Sequence, residues 1–317
     1  MYPFGCSRFS YWGTAAIQMA IFFVAVLTLV WQAMRAQLGL FAALFFISNA
    51  GGFMFNVLGY PEFFMYLLAF TAIALINSRR YIPASIIAAV LILTHELAVF
   101  AMIPLLCLAC LFVEREFRTK PLVILLAPAV LLFAVQLAWF QTSSDSTLAH
   151  WVAQRAACGH PLVRTDFLDV LTNSYRARLD LYFSPSQREF VLPPIAVLAF
   201  VAGRQLSQPF GQRALYAIAI MGACLSPLLL GLAAWDTNRW LLMTFTNILI
   251  VMITAARIAP AGRLKIADSM PLLAAFILVV ATLNLDYFEL KPRTLDDAGV
   301  QSLRLYLTDD IRHPPEK

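Results

Sequence analysis

YIPASIIAAVLILTHELAVFAMIPLLCLACLFV, residues 81–113, is a 33-residue apolar run interrupted near its middle by Thr94, His95 and Glu96. A straight helix of that length would reach about 50 Å, well past the roughly 30 Å of hydrocarbon in a bilayer. The run must therefore bend or fold back. Arg79 and Arg80 precede it, while Arg115, Arg118 and Lys120 follow it. Cytoplasmic loops gather Lys and Arg, so both ends belong on the cytoplasmic side. The expectation is a hairpin of two short helices, about 82–93 and 97–113, with His95 and Glu96 at its far tip.

The rest of the chain has the same character. Hydrophobic residues make up 61% of the 317 positions and charged residues only 13%, with a mean hydropathy of +0.76. That is more apolar surface than one soluble core of this length can hide. Spanning segments must satisfy their own backbone, and the apolar runs lack the alternation of a lipid-facing barrel strand, so the predicted class is all-α. Candidate spans fall near 14–34, 37–58, 62–78, 121–141, 214–234, 240–256 and 268–286, with a shorter one at 191–203 opened by Pro193 and Pro194. With the hairpin they form a polytopic transmembrane helical bundle of about ten helices.

Extending the hairpin's orientation along the chain puts Arg35, Arg79, Arg80, Arg115, Arg118, Lys120, Arg204, Arg213, Arg257, Arg263 and Lys265 inside, against Glu114, Glu116 and Asp268. Among the short loops only Arg239 breaks the positive-inside pattern. Both termini then lie outside. An outside amino terminus without a signal is uncommon for a polytopic protein, which raises the expectation of a start upstream of Met1. Residues 1–286 are read as a single transmembrane domain with an inserted extracytoplasmic loop, 142–190, and 287–317 as an extracytoplasmic polar tail. In the loop, Phe167, Leu168, Val170, Leu171, Tyr175 and Leu179 recur at helical spacing, as in an amphipathic helix lying on the membrane.

The excess of positive charge does not point to nucleic acid, because no basic cluster interleaved with aromatics occurs. No zinc-type Cys/His spacing, phosphate loop or other cofactor motif is present. Cys107, Cys110 and Cys224 sit in apolar runs as small hydrophobes. Cys6 and Cys158 share the outer side, where an oxidising compartment would permit a disulfide.

Candidate chemistry gathers on that outer side. His95 and Glu96 are an ionisable pair inside the longest apolar run, a functional candidate by default. The plainer reading makes Thr94 a cap of the second short helix and Glu96 a complement to its dipole. Asp236-Thr237-Asn238-Arg239 separates two apolar helices between Trp235 and Trp240. It is either a capped turn with interfacial tryptophans, or a site in which Asp236 orients Arg239 toward a phosphate or lipid headgroup. Glu62 follows Gly59-Tyr60-Pro61 at a helix start, where Pro at N1 and an acid in the first turn need no function; on this side it also joins the candidate binding groups. Arg155 and Arg164 in the long loop could add substrate contacts, although a solvated face is the simpler reading. Asn49-Ala50-Gly51-Gly52 reads as a close helix–helix approach.

His95-Glu96 followed by Leu97 and Pro104, with Asp236-x-x-Arg239-Trp240 entering a later helix, resembles motifs of bacterial inner-membrane polysaccharide polymerases and GT-C-type glycosyltransferases. The resemblance covers two short motifs and the topology across roughly 80–260. It implies a lipid-linked sugar substrate, carried by a polyprenyl phosphate and used on the outer side of the membrane. Glu96 or Asp236 would then activate an acceptor hydroxyl, Arg239 would grip the pyrophosphate and His95 would serve the leaving group. Such enzymes carry an acidic motif in the first extracytoplasmic loop. Here the first connection faces inside and carries Arg35, so no catalytic acid is transferred from the family. A transporter for a small or lipidic substrate and a non-catalytic assembly subunit are the other readings.

Overall fold

The computed structural model describes residues 8–56, 61–95, 98–136, 138, 190–232, 237–258, 266, 269–283 and 285. Apart from Ala138 these belong to one compact unit, Met1–Gln136 with Arg178–Leu285. Every regular element among them is helical: α1 (Arg8–Arg35), α2 (Gly39–Ile47), α3 (Asn49–Asn56), α4 (Glu62–Asn77), α5 (Tyr81–Thr94), α6 (Ala98–Ala101), α7 (Ile103–Glu114), α8 (Thr119–Gln136), α9 (Leu192–Leu206), α10 (Arg213–Leu225), a 3-10 helix (Ser226–Leu232), α11 (Thr237–Ile258) and α12 (Met270–Thr282). The all-α class holds.

The decisive run does fold back. The Tyr81 hydroxyl, at the first residue of α5, donates to the carboxylate of Glu114, at the last residue of α7. Arg79 and Arg118 lie 3.9 and 3.5 Å from the same carboxylate, whose side chain is only 7% exposed. The two ends of a 33-residue stretch are thus tied together.

Among the described residues four stretches are long and apolar enough to cross a membrane, fewer than the bundle of about ten transmembrane helices expected: Gly13–Arg35, Thr119–Gln136, Arg213–Leu230 and Thr237–Ile258. The other apolar helices have 10–17 residues, or are shorter still where a helix is interrupted. The span expected at 37–58 breaks at Ser48, whose Oγ donates to the Phe45 carbonyl (2.6 Å) and accepts from Ala50 N–H (3.1 Å), closing a corner between α2 and α3. Gly51 makes that corner possible, since a Cβ there would sit 2.1 Å from the Phe46 carbonyl oxygen. The small residues at 49–52 thus serve a turn of their own backbone as well as packing. Pro227 converts the end of the span at 214–234 into the 3-10 helix, because it offers no N–H to the Ala223 carbonyl four residues earlier.

α11 is the hub. Some 83% of its most apolar window is buried, against 17% for α1 and 11% for α8, and it packs on α1, α3, α6, α7, α9, α10 and the 3-10 helix. A helix buried all round is apolar all round, and α11 departs from this only with side chains that can satisfy themselves or a neighbour. Thr244, Thr246 and Thr254 donate back to the carbonyls of Trp240, Leu242 and Ile250. A ladder of rings joins α11 to its flanks: Phe245 lies 5.1 Å from Phe45 and 4.8 Å from Phe276.

Gly51→Ala is expected to destabilise the full chain by about 1–3 kcal/mol. Gly52→Ala, with open space at its Cβ, should be neutral. Thermal unfolding of both variants in detergent checks the contrast.

Candidate functional site

α4 and α11 start at the same end of the bundle. Their first turns meet through Glu62 and Arg239, 177 positions apart, with Arg239 Nη2 donating to Glu62 Oε1. Both residues are buried, at 4% and 9% exposure. The local sequence explains the placement. Pro61 sets helical dihedrals at the entry to α4 (φ −71°, ψ −12°), so the carboxylate falls in the first turn, where the helix dipole favours it. Arg239 lies in the first turn of α11, where the same dipole opposes a cation. Glu62 supplies the compensating charge. The Arg239 guanidinium also stands 5.3 Å from the ring of Trp240, which is 1% exposed; Trp240 is therefore a core residue rather than an interfacial one.

The second carboxylate oxygen, Glu62 Oε2, has no hydrogen-bond partner among the described residues. One turn along α4, Tyr66 is 4% exposed, and its hydroxyl likewise lacks a partner of proper geometry. Deeper in the bundle Asn247, fully buried, donates from Nδ2 to the carbonyls of Ala101 (2.7 Å) and Ala223 (3.4 Å). Both carbonyls belong to interrupted helices: Ala101 ends α6 upstream of Pro104, and Ala223 lies upstream of Pro227. Asn247 Oδ1 is left without a partner among the described residues.

His95 lies at the end of the bundle shared with Glu62, because α4 and α5 pack as an antiparallel pair joined by a short turn at Ser78–Arg80. Its backbone is extended (φ −165°, ψ 133°), and its carbonyl accepts Ala98 N–H at 3.0 Å. Thr94 is not the expected cap, since its hydroxyl donates back to Val90 at 2.8 Å. Gln136, ending α8, reaches the Ile92 carbonyl at 3.2 Å.

The structure therefore brings Glu62 and Arg239 into contact and sets His95 at the same end. Glu96, Asp236, Arg155 and Arg164 lie outside the described residues, as do the amphipathic stretch of the 142–190 loop and Cys6 and Cys158. Tyr66, Gln136 and Asn247 escaped the sequence reading. Only Asn247 and Gln136 carried a signal, as lone amides in apolar runs; Tyr66 read as one aromatic among many. No family model, curated protein or solved structure matches the chain.

Removing one member of a buried ion pair strands the other, at a cost of about 3–5 kcal/mol. Arg239→Met should therefore destabilise strongly, and Glu62→Leu combined with it should restore most of the loss. A double-mutant cycle on unfolding midpoints measures this coupling; additive losses would show that the pair does not act as a unit.

Proposed function

We propose that this chain transfers or polymerises lipid-linked sugars at the extracytoplasmic face of a bacterial inner membrane, in the making of cell-surface polysaccharide or glycolipid. The observation that carries the reading is the buried Glu62–Arg239 pair with Oε2 of the carboxylate unpartnered. Two converging helix starts and a guanidinium favour a phosphate at that end. A carboxylate with one oxygen anchored and one available is disposed to take a proton from a hydroxyl.

In this mechanism Arg239 holds the phosphate of the lipid carrier. The acceptor hydroxyl attacks the anomeric carbon, its proton passes to a carboxylate, and the bond from that carbon to the carrier phosphate breaks. Glu62 joins Glu96 and Asp236 as a base for the proton, and His95 orients or neutralises the departing phosphate. Substitution of a general base lowers such rates by about 10²–10⁴. Glu62→Gln, Glu96→Ala, Asp236→Ala, His95→Ala and Arg239→Lys are compared for surface glycan and for protein abundance in cells. Glycan loss at normal abundance is expected in Arg239→Lys and in at least one carboxylate variant. Normal glycan at normal abundance in all five would overturn the assignment.

One observation favours a second reading, transport of a small or lipidic substrate. Helices interrupted at Ser48, Met102 and Ser226, with an unpartnered Asn247 oxygen between two of them, resemble the way transporters build sites near the midplane. Membranes supplied with lipid-linked sugar separate the two: an enzyme forms new glycosidic bonds without flux, and a transporter gives flux without new bonds.

A further inference from the structure

Opposite the Glu62–Arg239 pair, α1, α4 and α11 end together. Glu62 and Asn77 are separated by about 22 Å along α4, and Arg239 and Arg257 by about 27 Å along α11, at 1.5 Å per residue. Between the three helix ends is a half-open notch of about 200 Å³ whose lining includes Gln32, Phe70, Asn77, Ser78, Ile253 and Arg257. One side is apolar, and the mouth is polar.

Among the described residues the charge at this mouth is unbalanced. Arg257 donates from Nη1 to the side-chain oxygen of Gln32, a neutral partner that orients the guanidinium without neutralising it. Arg35 lies three residues beyond Gln32 on α1, hence on the same helix face, and close enough to Arg257 for the two cations to repel. The three described carboxylates are committed elsewhere: Glu62 to Arg239, Glu114 to Arg79, Tyr81 and Arg118, and Glu116 to Arg118. Among the described residues, neither Arg35 nor Arg257 has a carboxylate partner.

Helix carboxyl ends also attract cations, but two of these three ends already satisfy their carbonyls. Leu38 N–H returns to the Ala33 carbonyl (2.8 Å) past Gln37 in the left-handed region (φ 59°), and Arg80 N–H returns to Leu75 (2.8 Å) past Arg79 (φ 57°). Arg35 stands 5.0 Å over the Trp31 ring and Arg257 is held by Gln32, both neutral partners, which leaves the charge of the two guanidinium groups for an external anion. A guanidinium fork suits phosphate oxygens, and exposed Trp31 and Met34 beside Arg35 on α1 are what a residue pair at headgroup depth would be flanked by.

We propose that the notch between α1, α4 and α11 binds the phosphate of an anionic phospholipid between Arg257 and Arg35, with the glycerol and upper acyl chain against Phe70 and Ile253. By the charge asymmetry of the loops this is a lipid of the cytoplasmic leaflet, where anionic headgroups attract basic residues. The site is separate from the Glu62–Arg239 pair and stands or falls without it.

The purified full chain in detergent is titrated with phosphatidylglycerol, with phosphatidylcholine of the same acyl chains and with sodium phosphate, and bound lipid is counted by native mass spectrometry. Phosphatidylglycerol should bind about tenfold more tightly than phosphatidylcholine, and Arg257→Gln and Arg35→Gln should each lower its affinity about fivefold. Arg115→Gln removes the same charge from the same end of the bundle outside the notch and should leave the preference intact. Equal binding of the two lipids, retention of the preference in both notch variants, or an equal loss in Arg115→Gln would overturn the proposal. Sodium phosphate competing as tightly as phosphatidylglycerol would overturn the lipid as its source. All three arginines are exposed, so these variants are expected to fold.

Discussion

A backbone carbonyl that loses its helical partner inside hydrocarbon has no water to turn to, and in this chain that constraint falls on one side chain. Pro104 and Pro227 interrupt two helices in the interior, and the Asn247 amide satisfies a carbonyl next to each interruption. The arrangement fixes α11 relative to α6 and α10 by directional bonds, where apolar contacts alone would let it slide or rotate. The Phe245 ring ladder adds bulk, but the amide supplies the register. With α11 held in that register, Arg239 comes level with Glu62.

The two prolines therefore have a structural purpose that their local effect hides. Each removes an N–H and ends a regular helix, which in isolation is only destabilising. The carbonyls of Ala101 and Ala223, one beside each interruption, converge on the same Nδ2 of Asn247 and become its recognition surface. The Ser48 corner is a different solution to the same difficulty, with a serine hydroxyl bridging the gap and Gly51 admitting the close approach.

Much of the architecture could be read from residue order, because bilayer thickness and loop charge act on segments as wholes. A run of 33 residues is too long for one span whatever its neighbours, and basic residues at both its ends call for a fold-back; the Tyr81–Glu114 contact joins those two ends. Interruptions were harder to foresee. Ser48 adjoins Asn49, Gly51 and Gly52, small and polar residues that read equally as a close helix–helix approach, and a serine hydroxyl is as compatible with a continuous helix as with a corner. The site was legible by residue but not by pairing. Arg239 invited a nearby acid, and Asp236, three positions away, lies outside the described residues; the contact with Glu62, on another helix, was not foreseen. Sequence distance says nothing about which helix starts share an end, and the pull of the α4 dipole on Glu62 explained that residue too cheaply.

The burial of α11 bears on how the protein comes into being. Its residues, 237–258, are made after most of the helices that surround it. Until they leave the ribosome, the earlier helices lack their central member, and Glu62 sits in or beside lipid without its counter-charge. Synthesis therefore passes through a long interval in which a carboxylate and the two carbonyls that Asn247 satisfies await a late arrival. A nascent chain in that state is the natural client of a membrane chaperone, and one truncated before residue 237 is the natural substrate of a membrane protease.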